Sequence, residues 1–78
     1  MIQADIYQDT GETGCGDLMI ALMKAMRPLS PGQVLELRAA DAGAPNDIPA
    51  WCRMTGHELL AGPTGEHGDR YFIQKKGD

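Results

Sequence analysis

Seventy-eight residues allow one domain, spanning 1–78, and a domain of this size buries only about 60% of the surface its unfolded chain exposes. A net charge of −4, from seven Lys and Arg against eleven Asp and Glu, argues against general nucleic-acid binding, which needs a basic face to neutralise phosphates. With one Trp, two Tyr and one Phe, the core must come from Leu, Ile, Met and Ala, and no cofactor is expected because so short a chain has little room to enclose one.

Taken in chain order, Ala4 and Ile6 alternate with Gln3, Asp5 and Tyr7, which predicts a short first strand. Glycines at 11, 14 and 16 then turn the chain around Cys15. From Asp17 the period becomes helical: Leu18, Ala21, Leu22, Ala25 and Leu29 share one face, with Lys24 and Arg27 opposite, until Ser30-Pro31-Gly32 ends the helix. Leu35, Leu37 and Ala39 alternate with Glu36 and Arg38 as a half-buried strand. After a small-residue loop from Asp41 to Pro45, Asn46 or Asp47 can cap a second helix, with Pro49 in its first turn and Gly56 at its end. Ile48, Trp51, Cys52 and Thr55 share a face of that helix. Glu58 to Ala61 and Arg70 to Lys75 read as two strands of a hairpin closed by the Gly/Pro-rich segment from Gly62 to Gly68.

The order β-α-β-α-β-β implies an α/β (α+β) two-layer sandwich. Its mixed four-stranded sheet carries a right-handed parallel crossover, an antiparallel closing hairpin and both helices on one face. Leu22, Leu37, Ile48 and Trp51 are expected in its core. No apolar run reaches the roughly 20 residues that span a bilayer, so no membrane role is expected. The N-terminus reads without a signal peptide, and two cysteines are too few for a secreted disulfide scaffold; both readings point to the cytoplasm.

Cys15 stands where the first strand hands over to the first helix. A helix N-terminus offers unpaired N–H groups and partial positive charge, which favour the nucleophilic thiolate. Cys52, on an apolar helical face, reads as a small core residue. The spacing of Cys15, Cys52, His57 and His67 lacks the close pairs of a zinc site, so no metal is expected. Met19, Ile20 and Met23 lie beside or outside the apolar stripe of the first helix. There they form a candidate docking patch for a partner, rimmed by Lys24 and Arg27.

The segment Gly14-Cys15-Gly16-Asp17-Leu18 opening a Met-rich helix resembles the active segment of the TusA/SirA-like sulfur-carrier family. The likeness continues through Leu29-Ser30-Pro31-Gly32-Gln33-Val34-Leu35-Glu36-Leu37, Asp47-Ile48-Pro49-Ala50-Trp51-Cys52, Gly56-His57-Glu58-Leu59-Leu60 and Arg70-Tyr71-Phe72-Ile73-Gln74-Lys75-Lys76-Gly77. It implies a sulfurtransferase-like carrier that holds sulfane sulfur as a persulfide on Cys15, with Gly16, Asp17 and Leu18 shaping the thiolate environment. Its partners would be a cysteine desulfurase or other sulfur donor and an acceptor sulfur-relay protein, and the carrier itself would be a monomer.

The chain departs from the family's Cys-Pro-x-Pro by reading Cys15-Gly16-Asp17-Leu18. Gly16 loosens the first turn, whereas Gly16 and Leu18 retain N–H groups that prolines lack, and Asp17 opposes a second negative charge. The rival reading is a non-catalytic interaction or regulatory module that keeps the fold.

Overall fold

The computed structural model describes residues 2–77. Its elements are β1 (Ile6–Gly11), α1 (Cys15–Met26), β2 (Val34–Ala39), α2 (Ala44–Thr55), β3 (Glu58–Thr64) and β4 (Arg70–Gln74). They form one four-stranded sheet in the order β1-β2-β4-β3. The β1–β2 pair is parallel, as a helical crossover requires, and β4 runs antiparallel to both β2 and β3. The expected mixed sheet and two-layer α+β sandwich are therefore present.

Alternation along β2 decides the two faces. Leu35 and Leu37 stand opposite Ile73 and Tyr71 of β4, and all four are fully buried. Against this face pack Leu18, Leu22, Ala25 and Met26 of α1 and Ala44, Ile48, Trp51 and Cys52 of α2, in a single core cluster. Each fully buried Leu or Ile contributes about 1.5–3 kcal/mol relative to exposure. Leu22, Leu37 and Ile48 are fully enclosed and Trp51 is buried, as the helical stripes predict.

The other sheet face is polar. Arg38 pairs through Nη1 with Asp9 Oδ1 at 3.0 Å and through Nε with Asp69 Oδ2 at 3.0 Å. Arg70 Nη1 meets Glu36 Oε2 at 2.6 Å, and its guanidinium lies 5.4 Å from the centre of the Tyr7 ring. Two arginines thus tie three strands together across a surface open to water.

Several element boundaries differ from the sequence reading. The first strand lies later than the 3–7 alternation, because its partner begins at Val34; Ile6 pairs with Leu35, and the Asp5 carboxylate accepts the Val34 N–H at 2.8 Å. A strand is defined by its neighbour, and none stands beside residues 3–4. The first helix starts at Cys15 rather than Asp17 and ends at Met26, Leu29 staying buried beyond it.

The second helix starts at Ala44, before Asn46 or Asp47, and Gly43 is its N-cap without a side-chain cap bond. Asp41 organises this entrance instead, accepting the Gly43 N–H at 2.9 Å. Pro49 therefore falls in the second turn, where it leaves one intrahelical bond unmade. Gly56 ends α2 as expected, with φ 85° and its N–H donating to the Cys52 carbonyl at 2.9 Å. In the closing hairpin β3 continues past Ala61 to Thr64, and β4 ends at Gln74, one residue before the expected Lys75.

Candidate functional site at the entrance of the first helix

Parallel strands bring their C-terminal ends to one edge of the sheet, and a right-handed crossover makes the helix that follows each strand begin there. In this chain α1 follows β1 and α2 follows β2, so both helix N-termini rise from the same edge. Binding sites of open α/β sheets gather at such edges.

Cys15 is the first residue of α1, after the extended Gly14 N-cap (φ −83°, ψ −179°). Its side chain lies outside the described residues. The first helical bond runs from the Leu18 N–H to the Gly14 carbonyl at 2.6 Å. The N–H groups of Cys15, Gly16 and Asp17 precede it and have no intrahelical acceptor, which gives this end its partial positive charge.

Gly16 and Asp17 are exposed at the first turn. Leu18 separates from them: its side chain is fully buried in the core and its N–H is spent on Gly14, so it offers no donor to a thiolate. Asp41, which the sequence reading treated only as loop, faces this entrance; a Cβ on Gly14 would stand 3.9 Å from its Oδ1. Two carboxylates, Asp17 and Asp41, therefore accompany the helix end.

Cys52 is enclosed in the core, and burial pushes its thiol up to about 11. At neutral pH it is a protonated thiol enclosed in the core.

Three of the docking residues expected on α1, Met19, Ile20 and Met23, line a groove of about 870 Å³ between α1 and α2. Ile20 and Met23 are each 48% exposed, large apolar side chains left open to water. Arg27 borders the same groove, whereas Lys24 is exposed on α1 outside it. Sequence reasoning missed the opposite wall, formed by Trp51 and Met54, and the end wall of His57, Lys75 and Lys76. The spacing of Ala50 and Met54 on a helix was a usable signal for that wall; Lys75 and Lys76 arrive from the far end of the chain and gave none.

The family profile described as Sulfurtransferase TusA matches residues 9–75. The chain belongs to the TusA family. It is 37% identical over 76 residues to the putative sulfur carrier protein YrkI of Bacillus subtilis (strain 168), covering 95% of this chain and 99% of that one. It is 39% identical over 75 residues to the sulfur carrier protein TusA of Pseudomonas entomophila (strain L48), covering 95% and 92%. The putative sulfur carrier protein YrkF of Bacillus subtilis (strain 168) is 36% identical over 80 residues; there the chain is matched in full but spans only 42% of the relative's length. The TusA-family match and the β-α-β-α-β-β architecture agree over nearly the whole chain, including the first turn of α1. No helix among the described residues is long and apolar enough to cross a membrane.

Proposed function

We propose that this protein is a cytoplasmic sulfur carrier in which Cys15 accepts sulfane sulfur from a donor and passes it to an acceptor. The observation that carries the reading is the position of Cys15 at the first residue of α1, in a chain of the TusA family. In the loading step the Cys15 thiolate attacks the terminal sulfur of a donor persulfide. A new S–S bond forms on Cys15, the donor S–S bond breaks, and the donor leaves as a thiolate. An acceptor thiolate then takes the terminal sulfur in the same way, and neither transfer needs an external oxidant or reductant.

The free N–H groups of Cys15, Gly16 and Asp17 favour the thiolate and the persulfide anion, while the Asp17 carboxylate limits how far that charge can build. A cysteine desulfurase is the donor class that fits this chemistry, and the acceptor is a second thiol-bearing relay protein. Both would approach along α1 over Met19, Ile20 and Met23, with Arg27 at the rim and Lys24 exposed on α1 outside the groove.

Incubation with a cysteine desulfurase and cysteine should add the mass of one sulfur atom to the protein. Cys15→Ser should abolish the adduct, and Cys52→Ala should retain it. Wild-type protein that stays unmodified beside a desulfurase able to load another carrier overturns the reading.

A further inference from the structure

We infer that the groove between α1 and α2 receives an amphipathic helix of a partner protein, with carboxylates at the end that meets Arg27 and Lys76. The inference deepens the docking reading given above and rests on it.

The groove's direction follows from the topology. Both helices start at the sheet edge that holds Cys15, so Met19 lies one turn along α1 and Arg27 lies at the far end. From Met19 to Arg27 the helix advances about 12 Å, a little over two turns. Three side chains of a docked helix, at i, i+3 or i+4, and i+7, span that length. The apolar wall between them comes from Met19, Ile20, Met23, Trp51 and Met54, and Met54 is 82% exposed. Thioether side chains adapt their shape to an incoming apolar surface at little cost.

The groove suits a helix rather than a strand, because its walls are side chains of two helices. The backbone groups of those helices are already paired, and an extended peptide would bring unpaired N–H and C=O groups into an apolar trench. A helix arrives with its own backbone satisfied.

Charge identifies the chemistry of the occupant. The protein is acidic overall, yet three of its seven cations, Arg27, Lys75 and Lys76, gather at one end of this groove, whereas its one lining carboxylate, Asp47, stands in the first turn of α2 towards the other end. Arg38 and Arg70, by contrast, are engaged by carboxylates on the opposite sheet face. Lys75 Nζ donates to the Met26 carbonyl at 2.8 Å, which leaves Arg27 and Lys76 as cations in no ion pair among the described residues. A second copy of this chain docked groove to groove in parallel would set these cations against their own counterparts, and the antiparallel arrangement would offer them a single lining carboxylate, Asp47. A partner with carboxylates at that end meets them with opposite charge and is steered by them.

Trp51 is the only tryptophan of the chain and stands in the groove wall, so its emission reports occupancy directly. The probe is a synthetic helical peptide with leucines at helical spacing and glutamates at one end. Its controls are the same peptide with lysines for glutamates, the same peptide broken by a central proline, and phosphatidylcholine/phosphatidylglycerol vesicles. The glutamate peptide should shift Trp51 emission, lose affinity with added salt, and bind at least tenfold more weakly to an Arg27→Glu/Lys76→Glu variant. Met54→Ala should weaken it independently of salt. Both changes fall on exposed side chains, and far-UV circular dichroism checks that the fold is kept.

Equal binding of the lysine or proline-broken peptide overturns the proposal. A response to vesicles alone makes the groove a lipid surface and overturns it too. Because the peptide lacks sulfur and loading by inorganic polysulfide needs no groove, Cys15 loading measured in parallel separates failure here from failure of the carrier reading.

Discussion

The Nδ1 atom of His57 accepts a hydrogen bond from the backbone N–H of Lys76 at 3.0 Å, tying the C-terminal segment to the end of α2. The bond requires Nδ1 unprotonated, and burial, followed by the charges of Lys75 and Lys76, holds the imidazole below its ordinary value of 6.5. A depressed histidine favours the folded state above the unfolded value, and that contribution is lost as pH falls through the folded one. The urea midpoint should therefore decline as pH drops below 6.5, with a shallower decline in His57→Asn. An NMR titration of the His57 ring should place its midpoint below that of an unfolded control.

Alkaline pH acts on the core by a different route. The Cys52 thiol is raised from 9.0 to about 11 by burial, so the unfolded chain releases this proton before the folded one does. Stability should fall between those two values, by roughly 2–3 kcal/mol at about 1.4 kcal/mol per unit of separation. Tyr71, raised by burial and then by Asp69, acts in the same direction. Urea denaturation across that range should show the loss, and Cys52→Ala should flatten it while lowering stability at neutral pH through lost packing.

Leu22 and Met23 are neighbours on α1 with opposite environments, one fully buried and the other 48% exposed. Leu22→Ala should cost about 2–5 kcal/mol, a large share of the stability of so small a domain. Met23→Ala should change stability by less than about 0.5 kcal/mol. Chemical denaturation separates the two, and Met23→Ala then serves for docking assays without a folding defect.

Gly16 occupies the first turn of α1, and a Cβ there would meet nothing within 4 Å. Gly16→Ala should raise stability by up to about 1 kcal/mol, since alanine loses less conformational freedom on entering a helix. Thermal unfolding would show this as a higher Tm. An unchanged or lower Tm would mean the first turn uses a backbone geometry that alanine disfavours.

By itself the sequence determined the order of elements, the two helical stripes, the alternation of β2 and the separation of a helix-entrance cysteine from a core cysteine. These are local patterns, written in periods of 3.6 and 2 residues that need no distant partner. It did not determine where β1 begins, because Ile6 enters the sheet only where Leu35 stands beside it. Nor could it show that the Leu18 N–H is spent on Gly14, or that Asp41 faces the entrance of α1. The wall opposite Met19 and Met23 was hidden for the same reason. Trp51 and Met54 come from the second crossover, and Lys75 and Lys76 from the end of β4, so only the packing of both helices on one sheet face makes a groove of them.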